Sequence, residues 1–250
     1  MRIKDNIMKN IPLFILAFTR PESLKEAIES ATTNFSIGKI YVYLDKFYDI
    51  DTNKKQKEVV EYLKRLDNVT INRAKENKGC SASMKAGLDW VFGVESECLV
   101  IEEDILLTKE SAIFYEKHSP LLDKSKPFVL RFGQYFWGFY VNKLAFESIK
   151  SFDLLSISEE KYKSDIHSTR LFKHLNHFRL EQEALRRSMG QPWDREWHFA
   201  INILKIPTFV PEKPTTIHND KGESVRLKRN SQFEKEFDGK LVMINGVIQK

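Results

Sequence analysis

The sequence predicts an α/β fold with a mixed, mainly parallel sheet flanked by helices, similar in organisation to a Rossmann fold. Two observations predict it. Short apolar runs of strand length alternate with amphipathic helical segments through the first hundred residues, and each apolar run is followed by a polar or charged residue. Parallel strands end along one edge of a sheet, and ligands bind at that edge. We therefore expect the functional site there.

The first half of the chain is predicted to hold four strands and three helices. The strands are 13–18, 39–44, 69–72 and 97–101, and the helices are 21–34, 52–66 and 81–92. Pro21 opens the first helix, because Pro is favoured in a first turn. The apolar residues on one face of that helix are Leu24, Ala27, Ile28 and Ala31.

The second half has a looser pattern. Residues 111–118 are predicted to be helical, 128–132 to form a strand, and the aromatic segment 134–141 to form another. Residues 159–189 are charged and helical in spacing, and this region ends at Gly190. From Pro207 onwards we expect loops and short strands that cross the ligand-binding edge.

Composition limits the class of protein. A chain of 250 residues, 42% hydrophobic, fits one large domain over residues 1–250. The net charge of +5 is modest and spread along the chain, and neither an RRM signature nor a zinc-finger spacing occurs, so we expect no nucleic-acid partner.

Cysteine content and hydropathy indicate a cytoplasmic protein. Cys80 and Cys98 form no CxxC pair, which excludes a disulfide scaffold and a thiolate zinc cluster. The apolar stretch 11–18 contains Pro12 and lacks a cleavage site, so we interpret it as a strand and not as a signal peptide. No window approaches the ~20 apolar residues of a membrane span. We expect at most a peripheral contact with the inner face of the cell membrane.

Three adjacent carboxylates, Glu102, Glu103 and Asp104, interrupt the apolar segment 99–107. Their mutual repulsion requires a compensating cation. Hard carboxylate oxygens at a ligand-binding edge suit Mg²⁺ or Mn²⁺ that carries a phosphorylated substrate. The sequence therefore predicts a divalent metal, and the alternative is an acidic turn without a ligand.

Asp45 and Arg20 also follow strands. Asp45 can accept hydrogen bonds from a nucleobase or ribose, or it can act as a turn or helix-capping residue. Arg20 can reach a diphosphate or a base, or it can pair with Asp45. The loop 77–83, which includes Asn77 and Gly79, has small residues that let backbone amides approach a ligand, but a plain connection is equally consistent with it.

Two further segments carry chemistry. In 192–198, Trp193 and Asp194 suit sugar recognition, and a carboxylate desolvated between indole rings can act as a general base. The alternative is a core tryptophan pair with capping charges. In 215–224, His218 can complete a metal site with Asp104 or donate to a leaving diphosphate; otherwise this segment is a solvated loop.

Taken in order, four segments resemble a GT-A glycosyltransferase, most closely of the N-acetylglucosaminyltransferase I type. They are FILAFTRP (14–21), YVYLD (41–45), NKG (77–79) and VIEED (100–104). That family has a Glu-Asp-Asp version of the DxD motif that holds Mn²⁺, whereas this chain has Glu-Glu-Asp with Asp104 retained. The Trp193-Asp194 pair resembles the family's catalytic-base position. The resemblance covers most of residues 11–225, but residues 140–190 do not align with the family.

The resemblance implies roles for particular residues. It implies a nucleotide-sugar-binding half (11–108), an acceptor and catalytic half (109–225) and a C-terminal tail (226–250). Asp104, with His218, would hold Mn²⁺ or Mg²⁺, and Asp194 would be the catalytic base. The residues that would bind the donor are Arg20, Asp45, Asn77, Gly79, Glu102, Glu103 and Trp193.

The expected activity is metal-dependent, inverting transfer of a sugar, such as GlcNAc or a related hexose, from a UDP-sugar to a hydroxyl of a glycan or lipid-linked acceptor. The alternatives are a retaining glycosyltransferase, a sugar nucleotidyltransferase and a non-catalytic nucleotide- or glycan-binding protein. The Gly-rich triphosphate loop of a nucleotidyltransferase does not follow the first strand. The basic region 161–187 either binds an anionic glycan, a lipid-linked acceptor or a membrane surface, or it is a solvent-facing helix.

Overall fold

The computed structural model describes residues 10–46, 50–133, 136–152 and 193–219, with the backbone of two further strands, β10 (Val242–Ile244) and β11 (Val247–Gln249). The predicted helical region 159–189 and its basic part 161–187 lie outside the described residues. So do the histidines at 167, 174 and 177.

Strands and helices alternate from β1 to β4, as the sequence predicts for the first hundred residues. The other strands are β1 (Ile11–Ala17), β2 (Ile37–Leu44), β3 (Val69–Arg73), β4 (Glu97–Glu102), β5 (Ile105–Leu107), β6 (Val129–Arg131), β7 (Phe139–Asn142), β8 (Thr208–Phe209) and β9 (Thr216–His218). The helices are α1 (Pro21–Asn34), α2 (Ile50–Leu63), α3 (Gly79–Phe92), α4 (Lys109–His118), α5 (Lys143–Lys150) and α6 (Trp193–Ile203). A short 3-10 helix, Ser119–Leu121, follows α4.

Seven of the described strands form one sheet in the order β3-β2-β1-β4-β7-β6-β8, and β5 with β9 and β10 with β11 form two-stranded sheets. Strands β1 to β4 are mutually parallel, and β6 is parallel to β8, whereas β7 runs antiparallel to both β4 and β6. This arrangement confirms the predicted mixed, mainly parallel α/β class. The carboxyl ends of β1, β2, β4 and β6 consequently share one edge of the sheet.

Helices cover both faces of the sheet, which explains why the central strands are continuous apolar runs. Leu13 and Ile15 of β1 belong to the core under α1 and α2, whereas Phe14 and Leu16 belong to the core under α3 and α6. Gly87 of α3 faces Phe14, and a Cβ at this position would overlap the Phe14 ring. The glycine therefore lets α3 lie directly on the sheet.

Several predicted boundaries differ from the structure. α3 begins at Gly79, two residues before the predicted start, and α2 ends at Leu63, three residues before the predicted end. In the predicted strand 134–141, residues 136–138 are bends and the strand begins at Phe139. None of the described helices is long and apolar enough to cross a membrane.

Candidate functional site

The three adjacent carboxylates lie at the carboxyl edge of the sheet, and Arg20 is their counter-cation. Glu102 ends β4, and Glu103 and Asp104 form the turn into β5. Arg20 donates from Nε to Glu103 Oε1 and from Nη1 to Asp104 Oδ2, each at 2.7 Å. The other Glu103 oxygen accepts the Phe18 N–H at 2.7 Å. An arginine therefore supplies charge compensation that the sequence predicted would come from a metal.

The partner of Arg20 differs from the one that the sequence offered. Arg20 pairs with the acidic turn, and not with Asp45. Both Glu103 oxygens are engaged within the protein, and the residue is 1% exposed, so in this structure its carboxylate holds Arg20 and the end of β1 in place.

Burial and charge act in opposite directions on the two acids of the turn. Burial raises the pKa of Glu103, although Arg20 and the Phe18 N–H oppose this effect. Burial would also raise the pKa of Asp104, but the hydrogen bond from His218 and the charge of Arg20 outweigh it and lower the pKa. Asp104 is therefore ionised at neutral pH.

His218 reaches Asp104 because β9 pairs with β5, placing His218 opposite Ile105. Its Nε2 lies 3.3 Å from Asp104 Oδ2, the same oxygen that Arg20 contacts. The imidazole packs against Trp137, with ring centroids 4.9 Å apart and an interplanar angle of 30°. The structure thus brings together Asp104 and His218, which are 114 positions apart in the chain (218 minus 104).

Hydrogen bonds at both ends of β9 fix its position. The hydroxyls of Thr108 and Ser111 donate to the Thr215 carbonyl at 2.7 and 2.5 Å. At the other end, the Asn219 N–H donates to the Asp104 carbonyl at 2.7 Å. His218 is therefore held beside the acidic turn by a backbone connection that does not depend on a ligand.

The residues at this edge fit a divalent metal that is shared with a substrate. A carboxylate suits Mn²⁺ or Mg²⁺, and an imidazole is a common metal ligand in proteins. Over the described ranges, no group of three or more His, Cys, Asp or Glu side chains could hold a metal ion. Mg²⁺ and similar ions are often bound by one or two protein ligands together with substrate phosphates. Asp104 and His218 fit that second arrangement and not a site formed by protein alone.

Glu102 is held by Trp193. The Trp193 indole donates from Nε1 to Glu102 Oε1 at 3.2 Å, and Cys80 Sγ lies 3.9 Å from the other oxygen. Trp193 is 2% exposed and packs against Phe136. In this structure the indole is part of the core, as the alternative of a core tryptophan pair predicts. Its contact with the site is the N–H bond to Glu102.

Asp45 and Asn77 shape the loop before α3. Asp45 Oδ1 accepts the backbone N–H groups of Lys46 and Lys78 at 2.9 and 3.0 Å, so the carboxylate joins the end of β2 to this loop. Asn77 Oδ1 accepts the Gly79 N–H at 3.0 Å, and Gly79 has a φ of 73°, in the left-handed region that favours glycine. These contacts give both residues a turn-forming role.

Asp194 lies in the first turn of α6, beside a cation that the sequence analysis did not single out. Arg131, at the end of β6, is 3% exposed, and its Nη1 lies 3.4 Å from His198 Nδ1. Asp194 acts electrostatically on Arg131. The sequence contains one indication that Arg131 has a special role: it is a single arginine inside the apolar run 128–132, which is unusual for a buried strand.

No protein-family model matches the chain, and no curated protein matches it by sequence. Among solved structures, the mannosyltransferase PcManGT from Pyrobaculum calidifontis, in complex with GDP-Man and Mn²⁺, is similar with a TM-score of 0.50 and 10% identity, over 88% of this chain and 59% of that chain. The glycosyltransferase GlyE of Streptococcus pneumoniae is similar with a TM-score of 0.41 and 12% identity, over 81% of this chain and 45% of that chain.

GalNAc-T7, in a structure with UDP, GalNAc and Mn²⁺, matches with a TM-score of 0.37 and 11% identity, over 48% of this chain and 22% of that chain. In each of these three comparisons the chain spans less than two thirds of the length of the other protein. At these identities the likeness concerns the fold. The chain has the mixed, mainly parallel α/β fold of GT-A glycosyltransferases.

Proposed function

We propose that the protein is a metal-dependent, inverting glycosyltransferase that moves a sugar from a UDP-sugar to a hydroxyl of a glycan or lipid-linked acceptor. The observation that carries the proposal is the contact between Asp104 and His218, which joins a carboxylate and an imidazole beside Arg20 at the carboxyl edge of a GT-A sheet. The similar mannosyltransferase is in complex with GDP-Man and Mn²⁺, a nucleotide sugar and a metal of the expected classes.

Asp104 and His218 would hold Mn²⁺ or Mg²⁺. The bound metal would neutralise negative charge on the donor diphosphate as the bond to the sugar breaks. Arg20 fixes Asp104 through its bond to Oδ2 and adds a positive charge beside the leaving group. Donor binding would thus use a metal with two protein ligands and the guanidinium that already contacts one of them.

The nucleotide and the sugar would lie along the same edge. Asp45 follows β2 and braces the loop of Asn77 and Gly79 before α3, and this loop would lie against the nucleotide. Glu102, oriented by the Trp193 N–H, would accept a hydrogen bond from a hydroxyl of the donor sugar. A GlcNAc or a related hexose is the expected donor sugar.

Asp194 would act as the general base. Its carboxylate takes the proton of the acceptor hydroxyl, whose oxygen then bonds to the anomeric carbon from the face opposite the diphosphate. The bond between the anomeric carbon and the phosphate oxygen breaks, and its electron pair leaves with UDP. Attack from the opposite face inverts the configuration of the sugar.

A transfer assay tests the proposal. UDP release from a panel of UDP-sugars is measured with hydroxyl acceptors, with Mn²⁺ or with EDTA, and NMR gives the product anomer. We expect release that requires the metal and an inverted product. Asp194→Asn should lower kcat at least ~100-fold, whereas Asp123→Asn, an exposed aspartate in a distant turn, should not.

Other outcomes identify the rival functions. A retained anomer would assign the chain to a retaining glycosyltransferase. Formation of a nucleotide sugar from a nucleoside triphosphate and a sugar phosphate would identify a nucleotidyltransferase. Nucleotide binding without turnover of any donor would identify a binding protein.

A further inference from the structure

Arg131 lies at the same edge of the sheet as the acidic turn, although it belongs to another strand. β7 is antiparallel to both β4 and β6, so β4 and β6 point in the same direction. Arg131 ends β6 as Glu102 ends β4. The Arg131 guanidinium carbon is 4.5 Å from the centre of the Phe136 ring, and Phe136 in turn packs against Trp193 of α6. Arg131 therefore lies between the sheet edge and the helix that carries Asp194.

The guanidinium of Arg131 is buried but incompletely satisfied. Its Nη1 lies 3.4 Å from His198 Nδ1, whereas Nε and Nη2 have no hydrogen-bond partner within the part of the chain that the structure describes. Nε and Nη2 form the edge of the guanidinium that binds carboxylates in a bidentate manner. A buried donor without a partner lowers stability, so packing alone does not explain why an arginine occupies this position.

The charges around Arg131 favour an interaction with Asp194. Asp194 and His198 are four residues apart on α6, and residues at this spacing lie on the same face of a helix. Burial lowers the pKa of Arg131 to about 10, and the charge of Asp194 opposes this effect, so Arg131 is a cation at neutral pH. Burial and Arg131 lower the pKa of His198 to about 3, so His198 is neutral there.

We propose that Arg131 is a positioning residue for Asp194: its guanidinium lies 3.4 Å from His198, one helical turn from Asp194, and from there its positive charge draws the Asp194 carboxylate toward the acceptor hydroxyl. Arg131 has this role only if the proposed function holds, since Asp194 is the base only in that reaction. The protein then loses some stability by burying this unsatisfied cation, because the cation is needed to orient the base.

Four variants of the full chain test this role. Arg131→Met keeps an unbranched, apolar stem and removes the charge, whereas Arg131→Lys keeps the charge. Asp194→Asn is made alone and together with Arg131→Met. For each variant we measure the melting temperature, the dissociation constant of the donor with Mn²⁺, and kcat and KM for the acceptor.

We expect Arg131→Met to melt at or above the temperature of the unmodified protein, because an apolar side chain replaces a poorly satisfied buried charge. Its donor affinity should stay within about 2-fold, while kcat falls at least ~10-fold through misplacement of the base. Arg131→Lys should recover part of that loss. In the Asp194→Asn background, Arg131→Met should cause no further loss.

An unchanged kcat in Arg131→Met would overturn the role of Arg131. So would a double variant whose kcat falls by the product of the two single losses. A third such result is a fall in melting temperature and in donor affinity in both Arg131 variants. The last result would mark Arg131 as a structural residue. Failure of the proposed function looks different, because the unmodified protein would then transfer no sugar to any acceptor. That result would overturn both proposals.

Discussion

Arg20 and His218 contact the same oxygen of Asp104, Arg20 Nη1 at 2.7 Å and His218 Nε2 at 3.3 Å. A metal bound to that oxygen must share it with Arg20 or displace the guanidinium. Arg20 is the counter-ion of the acidic turn, and it would compete with a divalent cation for this oxygen. Glu103 holds Arg20 in this position through Nε at 2.7 Å.

Replacing Arg20 should affect stability and metal binding in opposite directions. Arg20→Gln leaves Glu103 buried without its charged partner, and we expect the free energy of unfolding to fall by about 3 kcal/mol. Because a competing cation is removed, Mn²⁺ alone should raise the melting temperature of this variant by more than it raises that of the unmodified protein. Thermal unfolding with and without Mn²⁺ measures both effects. An equal or smaller Mn²⁺ effect would contradict the competition.

The lowered pKa of Asp104 predicts a pH dependence of stability. A carboxyl whose pKa is lower in the folded state contributes stability that is present above its unfolded pKa of about 3.9 and is lost as the pH falls through the folded pKa. The difference in melting temperature between the unmodified protein and Asp104→Asn should therefore shrink as the pH falls below about 4. Thermal unfolding at several pH values measures this difference. A difference that grows on acidification would contradict the assignment.

The bond from Trp193 to Glu102 can be separated from the packing of the indole. Trp193→Phe keeps an aromatic ring but removes the N–H, and we expect the free energy of unfolding to fall by about 2 kcal/mol, because a partly buried hydrogen bond to a carboxylate is lost. Donor affinity should also fall if Glu102 contacts the sugar. Trp197→Phe changes a neighbouring buried indole and is the control. Donor affinity is measured by calorimetry. Equal losses of donor affinity in both variants would show that the packing of the indoles, and not the N–H bond to Glu102, supports donor binding.

Gly79 should be required for the conformation of the loop. Gly79→Ala meets no atom within 4 Å, but its φ of 73° is unfavourable for alanine, and we expect a loss of about 1 kcal/mol. Gly133→Ala is the control, because its Cβ would lie 3.6 Å from that of Pro214, an ordinary contact. Chemical denaturation measures both variants. A loss in Gly133→Ala as large as that in Gly79→Ala would argue against a conformational cause.

The positions of the site residues along the sheet edge could be predicted from the sequence. The apolar runs that became β1, β2 and β4 are distinct, so Arg20, Asp45 and Glu102 could each be placed after a strand. The partner of Arg20 could not be predicted, because β1 lies between β2 and β4 and each of these two strands ends at acidic residues. The pairing of Leu16 with Glu102 in the parallel register brings the acidic turn beside the end of β1.

The role of Trp193 could not be read from its residue type, because sugar stacking and core packing both use large aromatic rings. Burial decides it in favour of the core, with the N–H directed to Glu102. Arg131 was missed because the apolar residues around it predicted a strand regardless of the charge. Its relation to Asp194 depends on how α6 packs on β6, and local periodicity does not contain that information.

Calorimetric titration of nucleoside diphosphates, with and without Mn²⁺, tests most directly the claim that Asp104 holds a metal for a nucleotide. It is done on the unmodified protein, on Asp104→Asn and on the exposed control Asp67→Asn. We expect UDP to bind only when Mn²⁺ is present, to lose at least ~10-fold in affinity in Asp104→Asn, and to bind Asp67→Asn normally. Binding of UDP that is independent of both Mn²⁺ and Asp104, or no binding of any nucleoside diphosphate, would contradict the account.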